Sequence, residues 1–281
     1  SYLVMAFTIT KVIYKAGYIS LPDFLMARYG EKMTSVIFSV TTALSYIANI
    51  AAQLMAGRAL FEALGFNGTL GVWVIAVVVL IYSMISGLWG ASATSVAQVG
   101  IIVVSLIATT AILLGDGAMD AVTQAVASGT VPATYFDLFV DGIPAILITC
   151  VPITLAALCE QCTVQRIVSA KSYKVAFWGL ILSFIIMIPC ALMPAFIGMY
   201  GNTIFHDTTN SVFFKVALDV LPPLAAALLI PAVVAAIMST IDTLFVAFST
   251  IILHNIYQGM INPKVSESTL KKGDFICHLS L

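Results

Sequence analysis

The nine residues Ala235-Ala236-Ile237-Met238-Ser239-Thr240-Ile241-Asp242-Thr243 concentrate oxygen in apolar surroundings. Two hydroxyls stand side by side, a carboxylate follows, and a third hydroxyl comes after it. The run that holds them, from Leu221 to about Tyr257, is otherwise nearly all apolar. An aspartate at membrane depth costs roughly 3 kcal/mol on insertion scales, so its default reading is an ion or substrate path. Hard cations take oxygen ligands, and Ser239, Thr240, Asp242 and Thr243 all offer oxygen. The pattern predicts a cation site on a transport helix. Two blander readings stand beside it. The hydroxyls can bond back to carbonyls four residues earlier, as in many membrane helices. Asp242 can sit at the cytoplasmic end of its helix and face water.

A second cluster lies earlier in the chain. Pro144 and Pro152 are followed by Glu160 and Gln161. Broken helices with polar residues at depth point to a transporter's substrate site. The expected solute contacts are Ile153, Ala156, Ala157, Glu160 and Gln161. Glu160 stands only six residues before Arg166, about 9 Å along a helix, so a place in an inner gate is the competing role. Asn49 and Gln53 read first as residues that hold helices together. Arg166 and Lys171 read as cations snorkelling at the cytoplasmic face.

The elements that position these residues are membrane spans. The chain is 61% hydrophobic and 9% charged, with a mean hydropathy of +1.08. Soluble domains carry about 25% charged residues. The net charge of −1 gives no sign of a nucleic-acid partner. Five cysteines follow no framework, and Cys159-x-x-Cys162 falls in an apolar helix, where packing is its expected role. The opening Ser-Tyr-Leu-Val carries no secretory signal.

Runs long enough to cross about 30 Å of hydrocarbon fall near 33–64, 69–87, 94–115, 143–165, 175–200 and 222–257, with half a span at 1–14. The runs 33–64 and 222–257 exceed one span and are expected to tilt or to extend beyond the bilayer. If the spans alternate, ten of the twelve Lys and Arg residues share one side. Only Arg58 and Lys215 fall on the other, with Glu62, Asp116, Asp120, Asp137, Asp141, Asp207 and Asp219. The positive-inside rule makes the basic side cytoplasmic. The link 201–221 is external, with a short interfacial helix at 211–220.

Several motifs in order resemble the sodium:solute symporter family, which includes sodium/proline and sodium/glucose cotransporters. Ser20-Leu21-Pro22-Asp23-Phe24-Leu25-x-x-Arg28-Tyr29-Gly30 resembles a loop of that family. Gln53–Glu62 is similar to the end of its next helix. Ser86-Gly87-Leu88 with Thr94-x-x-x-Gln98, the stretch Val164–Ser172, and Ala235–Thr243 with Ser249-Thr250 complete the set. The resemblance runs to about residue 260. It implies an all-α, polytopic, LeuT-type inverted-repeat bundle. About six full spans and one half span would supply the end of the second core helix through the eighth. On that count residues 1–260 form a partial transporter core, a fragment of a larger protein, and 261–281 a cytoplasmic tail.

The resemblance also implies roles. The main sodium site would use the Ala236 carbonyl and the Ser239 and Thr240 hydroxyls, together with backbone carbonyls of the first core helix, which on that count this chain does not supply. Some members hold a second sodium at positions matching Ser239, Asp242 and Thr243, with a fifth-helix aspartate. Here that aspartate position is Ser95, which puts a separate second site in doubt. Asp242 could supply the missing carboxylate from the other helix. The sixth-helix region reads Leu155-Ala156-Ala157-Leu158, so an aromatic-gated sugar site is not expected.

The expected function is secondary active transport in the plasma membrane, not enzymatic. Sodium entry would drive uptake of a small organic solute, such as an amino acid or carboxylate, by alternating access. Sodium is the coupling ion and no other cofactor is implied. Two alternatives remain open. The chain can be an inactive or assembly-dependent fragment of such a symporter. An intramembrane aspartyl enzyme would need Asp242 paired with another carboxylate. Glu160 alone is available, with no paired motif around it.

Overall fold

The computed structural model describes residues 1–281 except 138, 206–211, 263 and 266–281, and it leaves aside the side chains of 82, 84–91 and 260. The described chain is helical, with no strand among the described residues. In chain order the helices are α1 (Tyr2–Thr8), α2 (Thr10–Ala16), α3 (Leu21–Tyr29), α4 (Lys32–Ala63), α5 (Gly68–Gly115), α6 (Ala118–Ala127) and α7 (Gly142–Leu158). They continue with α8 (Gln161–Ser169), α9 (Tyr173–Phe205), α10 (Val212–Lys215) and α11 (Pro223–Thr250). Two π-helical stretches, Val216–Val220 and Ile251–Ile261, follow α10 and α11.

Local chemistry sets several boundaries. Ser20 caps α3 by accepting a hydrogen bond from the Asp23 amide at 3.2 Å, with Pro22 in the first turn. Gly30 ends α3 at φ 70°, and its amide donates to the Met26 carbonyl. The half span expected at 1–14 breaks at Ile9 into α1 and α2. Helix α4, 32 residues long, reaches about 48 Å and exceeds the hydrocarbon thickness, as its sequence predicts.

Four helical segments are long and apolar enough to cross a membrane: Lys32–Ala63, Ser92–Gly115, Tyr173–Phe205 and Pro223–Gly259. The pair α7 and α8, bent by 46° at Cys159-Glu160, makes a fifth if counted as one span. Among the described residues, the six expected full spans are thus four or five. The difference lies in α5, where the runs 69–87 and 94–115 join in one helix of 48 residues. No proline separates them. Gly87 and Gly90 cost only about 1 kcal/mol each in a helix interior, too little to force a stop. The apolar stretch Gly68–Ile81 represents the second run, and its continuation enters the residues whose side chains are left aside.

Three apolar cores hold the bundle. One joins Tyr46 and Ile50 of α4, Val79 of α5, and Ile241 and Phe248 of α11. Gly57 lets α4 approach α5 closely, since a Cβ there would run into Ile75. A second core gathers Leu113, Val122, Ile197 and Leu221, from the end of α5, α6, the end of α9 and the entry to α11. A third gathers Met5, Ile13, Leu21, Val164, Ile167 and Leu180, from α1, α2, α3, α8 and the start of α9. The elements carrying Lys11, Arg28 and Arg166 therefore meet at one end. Those flanking Asp116 and Asp120 meet at the other. Asp207 and the tail from 266 lie outside the described residues. Outside the cores, Ile148, Trp178, Leu192 and Leu224 stand exposed. A bilayer covers such surface without penalty.

Candidate functional site

The oxygens of α11 form a compact shelf. The Ala236 carbonyl accepts from Ser239 Oγ at 3.0 Å and from Thr240 Oγ1 at 2.9 Å. Thr243 Oγ1 donates to the Ser239 carbonyl at 2.9 Å. All four residues are half-buried. The back-bonding pattern is therefore present, and it gathers the three oxygens of Ala236, Ser239 and Thr240 on one face. With both hydroxyl protons on it, the Ala236 carbonyl has spent its lone pairs. A cation bound there requires the hydroxyls to rotate away and present their own lone pairs. The donor set is three neutral hard oxygens, which suits an alkali cation.

Asp242 does not face water. Its side chain is fully buried, and its Oδ1 accepts a hydrogen bond from Ser83 Oγ on α5. Sequence reasoning placed Ser95 at this position. Ser95 lies three turns further along α5, about 18 Å at 1.5 Å per residue, whereas Ser83 is an α5 side chain hydrogen-bonded to Asp242. In the sequence Ser83 is one hydroxyl in an apolar run and carries no signal of its own. Its meaning comes from a partner 159 residues away.

Helix α8 packs against the shelf. Arg166 Nη2 donates to Thr243 Oγ1 at 2.8 Å. Cys162 Sγ lies 3.6 Å from Tyr46 Oη and 3.7 Å from the Thr243 carbonyl oxygen. Arg166 is thus more than a snorkelling cation, because it touches the helix that carries the candidate ion oxygens. Cys162 is a buried packing residue, as expected.

A cavity of about 400 Å³ opens between α4 and the break from α7 to α8. Helix α4 lines it with Thr41, Thr42, Ser45 and Asn49, and Tyr46 forms a wall. The end of α7 contributes Ala156 and Ala157, and the break before α8 contributes Glu160. Glu160 Oε2 accepts from Thr163 Oγ1 at 3.1 Å. Of the five expected solute contacts, the structure brings these three together. Ile153 lies outside the lining and is 62% exposed. Gln161 is fully buried, and its amide is committed to backbone. Its Oε1 accepts from the Leu21 amide at 2.9 Å, and its Nε2 donates to the Ile19 carbonyl at 3.1 Å. It ties α8 to the entry of α3 instead of facing a solute. From the sequence Asn49 reads first as a residue that holds helices together, yet the polar residues of α4 at i, i+1, i+4 and i+8 are a legible helical stripe.

A third cluster joins the end of the last helix to α3. His254 Nε2 lies 3.0 Å from Asp23 Oδ2. Asn255 Nδ2 donates to Ser20 Oγ at 2.6 Å and to Asp23 Oδ1 at 2.8 Å. Burial pushes the Asp23 carboxyl up. The hydrogen bonds and charge of His254, with those of Ser20, outweigh that and hold it below the ordinary carboxylate range.

The comparisons with known proteins agree with this architecture. The model of the sodium:solute symporter family matches residues 1–281. The sodium/proline symporter of Haemophilus influenzae is 25% identical over 271 residues, covering 90% of this chain and 53% of that protein. Sodium/glucose cotransporter 1 of Oryctolagus cuniculus is 22% identical over 314 residues, covering 95% of this chain and 47% of its own. The chain spans about half the length of the curated relatives it matches. A sodium-coupled sialic acid symporter in its substrate-bound, outward-open state superposes with a TM-score of 0.84 at 18% identity, over 99% of this chain and 61% of that one. That likeness shows the fold, the LeuT-type helix bundle. With the match running end to end, the chain belongs to the sodium:solute symporter family.

Proposed function

We propose that this protein couples sodium entry to the uptake of a small organic solute by alternating access. The observation that carries the reading is the oxygen shelf on α11. Three neutral oxygens converge on one face of a span in a chain whose family is named for sodium. The ion site is the Ala236 carbonyl with the Ser239 and Thr240 hydroxyls. Thr243 and the buried Asp242 are its neighbours. Ser95 stands apart from it. The solute site is the cavity between α4 and α7, of a size suited to a small molecule. Glu160 there disfavours simple anions and favours solutes bearing an amino or hydroxyl group. An amino acid, whose ammonium group offsets its carboxylate, fits that chemistry, and a carboxylate would need a hydroxyl or similar group directed at Glu160. The relatives are named for proline and glucose, and the solved structure for sialic acid. The protein resides in the plasma membrane, with residues 1–260 as the transport core and 261–281 on the cytoplasmic side.

Proteoliposome uptake under an imposed sodium gradient tests this. Accumulation that collapses when potassium replaces sodium is the expected result, and gradient-independent uptake would overturn it. Coverage of half the length of the relatives favours a second reading, in which these 281 residues act only together with further helices. Uptake by the 281-residue chain alone, set against uptake by the complete reading frame, separates the two.

A further inference from the structure

Arg166 carries a permanent positive charge to the edge of the α11 shelf. Its Nη2 donates to Thr243 Oγ1 at 2.8 Å, and the same hydroxyl donates to the Ser239 carbonyl at 2.9 Å. Ser239 Oγ in turn donates to the Ala236 carbonyl at 3.0 Å. The guanidinium is thus two hydrogen bonds from the Ser239 carbonyl, and Ser239 itself, through its hydroxyl, bonds the Ala236 carbonyl at the centre of the shelf. Helix α8 fixes the base of this side chain firmly. Gln161, Cys162, Val164, Gln165 and Ile167 are buried, and Gln161 is tied to the α3 entry at both ends of its amide. The far end is not confined in the same way. Arg166 also lines a cavity of about 280 Å³ between α8 and α9, with Thr163, Gly179 and Ser183. The side chain therefore has a docked position on Thr243 and room beside it.

We propose that Arg166 competes with sodium for the α11 shelf and drives ion release. Docked on Thr243, the guanidinium repels a cation at Ala236, Ser239 and Thr240, and it helps keep the hydroxyls bonded back to the carbonyl. Swung into the cavity beside α9, it leaves the shelf free for sodium. The two positions couple ion occupancy to the α8–α11 contact, which gives departing sodium a charge that takes its place. This rests on the sodium reading of the shelf and adds a positioning residue to it.

The test is sodium dependence of uptake by the complete reading frame, with half-saturating sodium and maximal rate measured separately. Arg166→Gln keeps a donor for Thr243 and loses the charge. Its half-saturating sodium falls about fivefold to tenfold, the size expected of a nearby charge at the effective dielectric of a protein surface, and its maximal rate falls with it. Arg166→Lys stays within about twofold of the parent. A merely structural tie predicts the reverse, so an unchanged or raised half-saturating sodium in Arg166→Gln overturns the proposal. If that variant does not reach the membrane, Arg166→Cys in a cysteine-free background is treated with a cationic or a neutral thiol reagent of similar size. The cationic adduct needs more sodium than the neutral one, and equal values overturn the proposal. Failure of the underlying sodium reading shows separately: Ser239→Ala would then leave the parent's sodium dependence unmoved.

Discussion

The α11 shelf and the α4–α7 cavity lie in one bundle and differ in how they are made. The shelf is built from consecutive turns of one helix, and its oxygens already bond one another. The cavity is built across two elements, from a polar stripe on α4 and a broken helix end on α7. A one-helix site keeps its geometry as long as the helix exists. A two-helix site changes shape whenever the helices move. Under the proposed function, the α11 share of the ion site would keep its make-up while the walls of the solute cavity separate.

Losing a shelf oxygen has the largest expected effect. Ser239→Ala removes one of the three shelf oxygens proposed to hold sodium. Hydrogen bonds to charged groups contribute about 1.5–3 kcal/mol, so half-saturating sodium rises roughly tenfold or more. Solute affinity at saturating sodium stays near that of the parent. If both shift together, the shelf and the cavity are one site and the comparison breaks.

Glu160→Gln comes next. It removes the cavity's carboxylate and keeps its shape, so discrimination between solutes with and without an amino group falls about fivefold, near 1 kcal/mol. Sodium dependence is unchanged. Intact selectivity with altered turnover would instead assign Glu160 to the inner gate. Asn49→Ala on the opposite wall weakens solute affinity about threefold, the scale of one neutral hydrogen bond. Competition assays over a solute panel read both.

The shelf was legible because a helix converts sequence spacing directly into a face. Ala236, Ser239 and Thr240 at i, i+3 and i+4 need no knowledge of any other element. The rest depended on partners far along the chain. Gln161 reads as a solute ligand until its amide is seen committed to Ile19 and Leu21. Ser83 acquires its role only from Asp242. The α4 stripe looked like helix–helix adhesive because polar residues on spans usually serve that purpose. The join within α5 was hidden for a different reason. The end of one hydropathy peak and the start of the next mark a break in composition, whereas the backbone breaks only where its hydrogen bonds are interrupted.

Gln161→Ala tests the difference between a buried tie and a solute ligand. It leaves the Leu21 amide and the Ile19 carbonyl without their side-chain partners. A buried group so abandoned costs about 1–3 kcal/mol, so the detergent-solubilised protein melts several degrees lower. Solute selectivity stays put. Lost selectivity at unchanged melting temperature would return Gln161 to the cavity.

The smallest effect is expected where the two regions are joined. Asp23 precedes the cavity helix α4, and His254 and Asn255 continue the shelf helix α11, so their hydrogen bonds tie the two helices at one end. The Asp23 carboxyl is held below its ordinary range, so folding favours its ionised form. The stabilisation is complete above the unfolded carboxylate value near 4. It is lost as pH falls through the still lower folded value. Between pH 7 and about 5 the melting temperature should therefore carry the full contribution of this group and show no pH dependence from it. Below about 4 the parent's melting temperature should fall toward that of Asp23→Asn, which lacks the titrating group and starts lower. In transport assays at neutral pH, Asp23→Asn loosens the shared end of the shelf and cavity helices without touching either site. Half-saturating sodium and solute affinity should then shift by less than about twofold, and in the same proportion. A shift confined to one of them would mean that the clasp belongs to that site alone, and that the shelf and the cavity do not communicate through it.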